Sequence, residues 1–230
     1  SPRRCGISIE LFADPSGDRQ WAVEHAVRKV EVIDSHTGGE PTRVVIAGGP
    51  DLGNCELATR RELFQRDHDA FRSAMMNEPR GWDAMVGALL CEPTIPESAA
   101  GVIFFNNVGY LGMCVHGMIG VVKTLAHLGR IQLGEHLFET PVGDVYTTLH
   151  DNGQVSVRNV ASFRTASNVR VQVDGYGQVV GDIAYGGNWF FLISWDRSPE
   201  LPELSSTNIE PLTDFTWAVR QALKKQNITG

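Results

Sequence analysis

Cysteine is scarce in this sequence: four residues in 230, widely spaced, with no CxxC pair. That spacing argues against a zinc framework or a disulfide-stapled fold and suits free thiols in a reducing, cytoplasmic setting. Cys5, Cys55 and Cys91 have no special neighbours and are read as structural. Long apolar runs are missing too. The longest, residues 102–105 and 118–128, fall short of the ~20 residues needed to cross a bilayer, so no membrane partner is expected. No basic run with interleaved aromatics occurs and the formal charge is -7, which argues against nucleic acid. Ser1-Pro2-Arg3-Arg4 leads into no apolar stretch, so no secretory signal is read there. Phosphate-cradling glycine patterns are also absent, and no helix evidently follows Gly38-Gly39. The 230 residues suffice for one large domain or two small lobes.

Turn signals divide the chain. Residues 7–12 read as a strand, Asp14-Pro15-Ser16-Gly17 as a turn and 19–28 as a helix. Residues 30–34 and 42–47 read as strands flanking a polar loop, Ser35-His36-Thr37-Gly38-Gly39-Glu40-Pro41. Helical periodicity over 57–76 predicts one surface helix, ended by Pro79-Arg80-Gly81. Residues 84–91 and 101–106 read as buried strands. After Gly129 come short strands near 136–139, 143–150, 154–159, 169–173, 178–182 and 189–193, then a helix near 213–226. Trp189, Phe190 and Phe191 are read as core, and Arg80 as an ordinary surface arginine. The pattern predicts an α+β protein of two lobes. Residues 1–29 are an extension of uncertain origin, 30–135 a first lobe and 136–230 a partial second lobe.

The stretch Met113-Cys114-Val115-His116-Gly117 carries the most chemistry. Glycine turns flank the cysteine, and an apolar run, 118–128, follows it. That order reads as strand, tight turn, cysteine, helix. The helix is apolar on nearly every face, as a helix enclosed by a sheet or barrel would be. A cysteine at or just before a helix N-terminus meets free N–H groups and the helix dipole, which favour an anion and lower a thiol pKa. A small buried cysteine packed as a hydrophobe fits the same residues. His116 lies two residues on. A Cys–His pair is conceivable there, but helical spacing turns the two side chains apart. His36, in its polar glycine-rich loop, is either a site residue or part of a turn held by Asp34 and Thr37.

Several segments together resemble the proline racemase family, in particular its 4-hydroxyproline 2-epimerase branch. They are Val32-Ile33-Asp34-Ser35-His36-Thr37-Gly38-Gly39-Glu40-Pro41-Thr42-Arg43, Glu78-Pro79-Arg80-Gly81, Met85-Val86-Gly87-Ala88-Leu89-Leu90, Asn106-Asn107-Val108-Gly109-Tyr110-Leu111-Gly112-Met113-Cys114 and Gly181-Asp182-Ile183-Ala184-Tyr185-Gly186-Gly187-Asn188-Trp189. The resemblance implies a two-lobed fold like that of diaminopimelate epimerase, each lobe a β-barrel-like sheet around a central helix. It implies proton transfer at Cα of proline or hydroxyproline by a pair of cysteines, with no cofactor and no metal. Cys114 would be one base. Val115 and His116 would help hold the substrate, whose carboxylate binds backbone N–H groups, with Val86 and His36 nearby. Val86 favours a hydroxyproline substrate, because a small aliphatic residue leaves room for a ring hydroxyl.

Three departures stand out. Val115 replaces the family's usual glycine, where a β-branched side chain would crowd the carboxylate or strain the turn. The family's second motif, an aspartate, a cysteine and a Gly-Thr-Gly turn, is not among these 230 residues, so the second lobe is expected to be incomplete and the second base missing. Residues 7–15 resemble a family segment that normally follows the last helix, with Ser8 where the epimerases usually present histidine. The resemblance leaves two alternatives to epimerisation: a trans-3-hydroxyproline dehydratase, or a truncated, non-catalytic lobe. A homodimer would cover strand edges left open.

Overall fold

The computed structural model describes residues 29–194, 197 and 201–229. The strand and helix expected within 1–28, and Cys5 with them, lie outside the described residues. Strands β1 (Glu31–Thr37) and β2 (Glu40–Ala47) form an antiparallel hairpin closed by Gly38 and Gly39 at φ +61° and +104°. Two glycines supply both positive-φ positions, so the turn needs only two residues. The expected polar loop over 35–41 is therefore mostly strand.

The single helix expected over 57–76 is two, α1 (Leu57–Asp67) and α2 (Asp69–Met76). They part at His68, with φ -131° and ψ 20°. Asp67-His68-Asp69 are three poor helix formers in a row. Neither is a simple surface helix: Leu57, Arg60 and Phe64 are buried on the first, Arg72, Met75 and Met76 on the second.

Strand β3 (Val86–Cys91) pairs in parallel with β2, and β4 (Ser98–Phe105) runs antiparallel to β3. Short β5 (Tyr110–Leu111) folds back on β4 and leads to helix α3 (Val115–His127). Strands β6 (Gly134–Thr140), β7 (Gly143–Leu149) and β8 (Val155–Arg158) extend the same sheet, in the order β1-β2-β3-β4-β6-β7-β8. Helix α3 packs on β1, β2 and β3 and also on β8, near the opposite end of that order. A helix that touches both ends of a sheet is enclosed by it, as its apolar circumference predicted. Val44, Ala88, Val102 and Phe104 meet Met118, Val121, Val122 and Leu125 in this core. The other face of the same strands packs under α1 and α2 through Val45, Leu89, Ile103, Phe105, Phe64 and Met76. Strands covered on both faces read as continuous apolar runs.

The chain divides into compact units between Val160 and Ala161, not near residues 130–140. Strand β6 pairs in parallel with β4, Ser98 opposite Leu137, so the expected junction lies inside the first sheet. The second unit has β9 (Phe163–Val173), β10 (Gly177–Tyr185) and β11 (Trp189–Ile193) in the order β11-β10-β9, with helix α4 (Ile209–Lys225) packed on β9. Val171, Val173, Val179, Phe215, Val219 and Ala222 form its core. Only Phe191 of the expected aromatic trio joins that core; Trp189 is 46% exposed and Phe190 49%. Alternation along β11 turns Phe190 to the face opposite Phe191, while Trp189 packs on Phe163 and Tyr185, ring centroids 5.9 and 5.1 Å away. Buried Asp182 ties this sheet together. It accepts the Asn168 N–H at 3.0 Å and pairs with Arg197 at 2.9 Å and Arg164 at 3.0 Å. Those partners, Arg197 foremost, hold its carboxyl far below the usual range. Among the described residues no helix is long and apolar enough to cross a membrane.

Two contacts in the first unit give direct tests. A Cβ built on Gly120 of α3 would lie 2.9 Å from Thr42 Cβ. Gly120→Val is expected to cost about 1–3 kcal/mol of overpacking, more than the helix propensity it returns; denaturant unfolding measures it. Buried Glu139 of β6 accepts the N–H groups of Thr94 at 2.8 Å and Ile95 at 3.1 Å, and the Thr94 hydroxyl. Burial pushes its carboxyl up, but these hydrogen bonds outweigh it and the pKa is lowered. A depressed native pKa contributes stability above the unfolded value, lost as pH falls through the native one. Glu139→Gln is therefore expected to melt lower at pH 7 and to lack that part of the acid loss, read from Tm between pH 7 and 3.

Candidate active site

The segment that delivers Cys114 to its helix is fixed from three sides. Asn106 Oδ1 accepts the N–H groups of Val108 at 3.0 Å and Gly109 at 2.9 Å, which closes the turn between β4 and β5. Arg72 of α2 donates to the carbonyls of Asn106 at 2.9 Å and Asn107 at 2.8 Å. Its guanidinium is held in turn by Asp69, whose carboxyl the arginine keeps below the usual range. Asn107 Nδ2 donates to Asp83 at 2.9 Å.

Cys114 is the residue that caps α3, in extended backbone with φ -140° and ψ 113°. Its carbonyl accepts the Met118 N–H at 2.9 Å, the first turn of the helix. The half-buried sulfur makes no formal cap hydrogen bond, yet the N–H groups of Gly117 and His116 lie close enough to favour its thiolate. Burial is the larger effect and pushes the thiol above its ordinary value, and the Glu40 carboxylate adds to the rise. The lowered thiol pKa expected from the helix dipole is thus overturned: desolvation of a sulfur seated against the core wins over two N–H dipoles.

His116 lies against the thiol, Nδ1 3.4 Å and Nε2 3.9 Å from Sγ. The two side chains were expected to diverge. They converge because Cys114 is an extended cap residue, outside the 3.6-residue repeat that begins at Val115. The His116 carbonyl accepts the Thr37 hydroxyl at 3.1 Å, which ties the end of β1 to the first turn of α3. Val115 is 44% exposed at the head of the helix.

Register sorts the remaining candidates. Ser35 pairs with Thr42 and Thr37 with Glu40 on one face of the hairpin. The Thr37 bond to His116, and the close approach of Gly120 to Thr42, make that the α3 face. Val86 is in register with Thr42, 8% exposed, in the core against which Cys114 packs. His36 alternates to the other face, with Asp34 and Arg43. Its Nδ1 accepts the Gly39 N–H at 3.3 Å, so it holds the turn and does not meet Cys114. That other face is structural. Buried Arg43 forks onto Asp34 at 2.9 and 2.8 Å and donates to the carbonyls of Met75 and Arg80. The structure thus brings His116 to the Cys114 sulfur, seats Val86 in the core against which Cys114 packs, and leaves Val115 exposed at the head of the helix. Sequence reasoning did not single out Thr37 as the residue that binds the first turn of α3, nor Glu40 as its neighbour across the hairpin; both share the parity of Thr42 once the two-residue turn is known.

Residues 32–229 match the proline racemase family. The chain belongs to that family. It is 57% identical over 204 residues to a 4-hydroxyproline 2-epimerase of Acinetobacter baumannii, a match covering 89% of this chain and 64% of that protein. Proteins of the same description from Burkholderia ambifaria and Pseudomonas aeruginosa match at 58% and 57% over the same shares. The chain thus spans under two thirds of these relatives' length. A probable proline racemase from Agrobacterium radiobacter, solved with bound carbonate, superposes with TM-score 0.78 at 21% identity, over 85% of this chain and 60% of that one. A hydroxyproline epimerase from Agrobacterium vitis, solved with bound trans-4-hydroxy-L-proline, gives 0.75 at 22%, over 82% and 57%. These likenesses show the fold, the α+β diaminopimelate-epimerase type.

The thiols should differ in reactivity. Cys55 is exposed, whereas burial pushes Cys91 up to about 11. Iodoacetamide at pH 8 is expected to label Cys55 first, Cys114 more slowly and Cys91 last, with each rate read by peptide mass spectrometry. Fastest labelling at Cys114 would contradict the raised thiol.

Proposed function

We propose that this chain carries one half of a cofactor-independent epimerase site acting at Cα of 4-hydroxyproline, with Cys114 as the acid/base on one face of the ring. The observation that carries the reading is the thiol at the cap of α3, beside the N–H groups of His116 and Gly117. Those groups suit a substrate carboxylate as well as a thiolate. Free thiols fit a cytoplasmic setting.

The chemistry follows from that placement. An α-proton is weakly acidic, so its removal needs a base close by and a sink for the electron pair. The Cys114 thiolate takes the proton and becomes a thiol; the pair passes from the breaking C–H bond into the carboxylate. Helix N–H groups aimed at that carboxylate stabilise the charge that develops there. A proton delivered to the opposite face by a second group inverts Cα. In the reverse direction Cys114 is the donor, and the neutral form that burial favours is the form required. His116, 3.4 Å from the sulfur, can relay the proton between thiol and solvent.

Relatives described as 4-hydroxyproline 2-epimerases favour epimerisation over 3-hydroxyproline dehydration. Cys114 alone, without an opposite-face donor, would exchange the α-proton with solvent and retain configuration. Incubation of trans-4-hydroxy-L-proline in D2O is expected to give deuterium at Cα, followed by NMR, and Cys114→Ser is expected to abolish it. Uptake that persists in the variant would remove Cys114 from the role, and a cyclic imine formed from 3-hydroxyproline would favour the lyase.

A further inference from the structure

The site as described answers only one charge of its substrate. 4-Hydroxyproline is a zwitterion. The first turn of α3 suits the carboxylate, but the positive end of a helix repels the ring ammonium, which needs an anion of its own. Glu40 stands in the right place. It opens β2 directly opposite Thr37 on the α3 face, and the Thr37 hydroxyl is 3.1 Å from the His116 carbonyl. The carboxylate therefore sits on the same row of the hairpin that holds the head of the helix. Its field reaches the Cys114 sulfur.

Glu40 is also uncommitted. It is exposed, and its carboxylate has no hydrogen-bond or ion-pair partner among the described residues. The other acids of the hairpin are taken: Asp34 is bound by Arg43 on the opposite face, and Glu31 pairs with Lys29 at the far end of β1. An unpaired carboxylate at the edge of a site carries no fold contact to explain it, and its charge opposes the thiolate that proton abstraction requires. A cation bound between the two would reverse that penalty.

We propose that Glu40 binds the ring ammonium of the cyclic amino acid and selects ligands whose ring nitrogen is protonated. This deepens the epimerase reading and rests on it. With the carboxylate at the α3 N–H groups and the nitrogen at Glu40, two points fix the ring and aim Cα–H at the sulfur. A nitrogen kept protonated also withdraws electrons from Cα, which eases loss of its proton. Glu40 is a positioning residue in this account; it moves no proton.

Calorimetric titration of the wild type and of Glu40→Gln with two ligands tests it: trans-4-hydroxy-L-proline, and tetrahydrofuran-2-carboxylate, the same ring with an uncharged oxygen in place of the ammonium. Glu40→Gln is expected to weaken hydroxyproline about tenfold or more, the loss of a hydrogen bond to a charged group, and to leave the oxygen ring within about twofold, with Glu40→Asp intermediate. Iodoacetamide labelling of Cys114 without ligand is expected to speed up in Glu40→Gln, because the opposing charge is gone. Equal loss for both ligands, or no loss for hydroxyproline, would overturn the role of Glu40 while leaving the epimerase reading intact. A wild type that binds only the oxygen ring would overturn it as well. A wild type that binds neither ligand would bring down the epimerase reading, and the role of Glu40 with it. Unchanged labelling would put the carboxylate out of reach of the sulfur and overturn the role of Glu40.

Discussion

Helix α3 lies on its sheet at backbone distance, and the rest of the first unit follows from that approach. A Cβ on Gly117 would stand 2.8 Å from the Phe104 ring, and one on Gly120 would stand 2.9 Å from Thr42. Two glycines one turn apart remove the side chains that would hold the helix off. The helix can then sit inside a curled sheet, touching β1, β2 and β3 on one flank and β8 on the other. Cys114 caps this helix, so the depth of the helix sets the depth of the sulfur. Here lies a competition of two effects. The same seating that aims the N–H groups of the first turn at the thiol also strips water from it, and desolvation prevails.

The β1–β2 hairpin works as a two-sided plate. One side is a clamp: Arg43 draws together Asp34, the end of α2 at Met75 and the Arg80 carbonyl. The other side is turned to the helix with polar residues, Ser35, Thr37, Glu40 and Thr42. Thr37 finds a partner in His116, whereas the Ser35 and Thr42 hydroxyls are buried without one. Hydroxyls in that condition cost stability. The close approach of Gly120 to Thr42 shows how little room α3 leaves for compensation there.

Much of this was legible from residue order. The cysteine before an apolar run gave a capped, enclosed helix, because glycine turns and all-round hydrophobicity are local signals. The positions of β3, β4, β6, β7 and β8 followed from local signals too, whereas short β5 was read as part of a glycine turn. What failed was non-local. Nothing between residues 57 and 76 except three adjacent poor helix formers marks the break at His68. The parallel pairing of β6 with β4, which carries residues 134–158 into the first sheet, joins segments far apart in sequence. Within the site, His36 was misplaced because its loop became strand, and in a strand a shift of one position changes face. The sulfur's raised pKa depends on burial, which a sequence motif does not report.

The order of pairing in the first sheet also bears on how the chain reaches its shape. Hairpins such as β6–β7 close locally, but β2 meets β3, and β4 meets β6, only in parallel and across intervening helices. Such joints must overcome loop-closure entropy before any contact repays it, which slows folding. The thiol at the head of α3 belongs to one of those crossovers. The depth at which its sulfur is enclosed therefore depends on pairings between segments far apart in sequence, not on the local turn that precedes it.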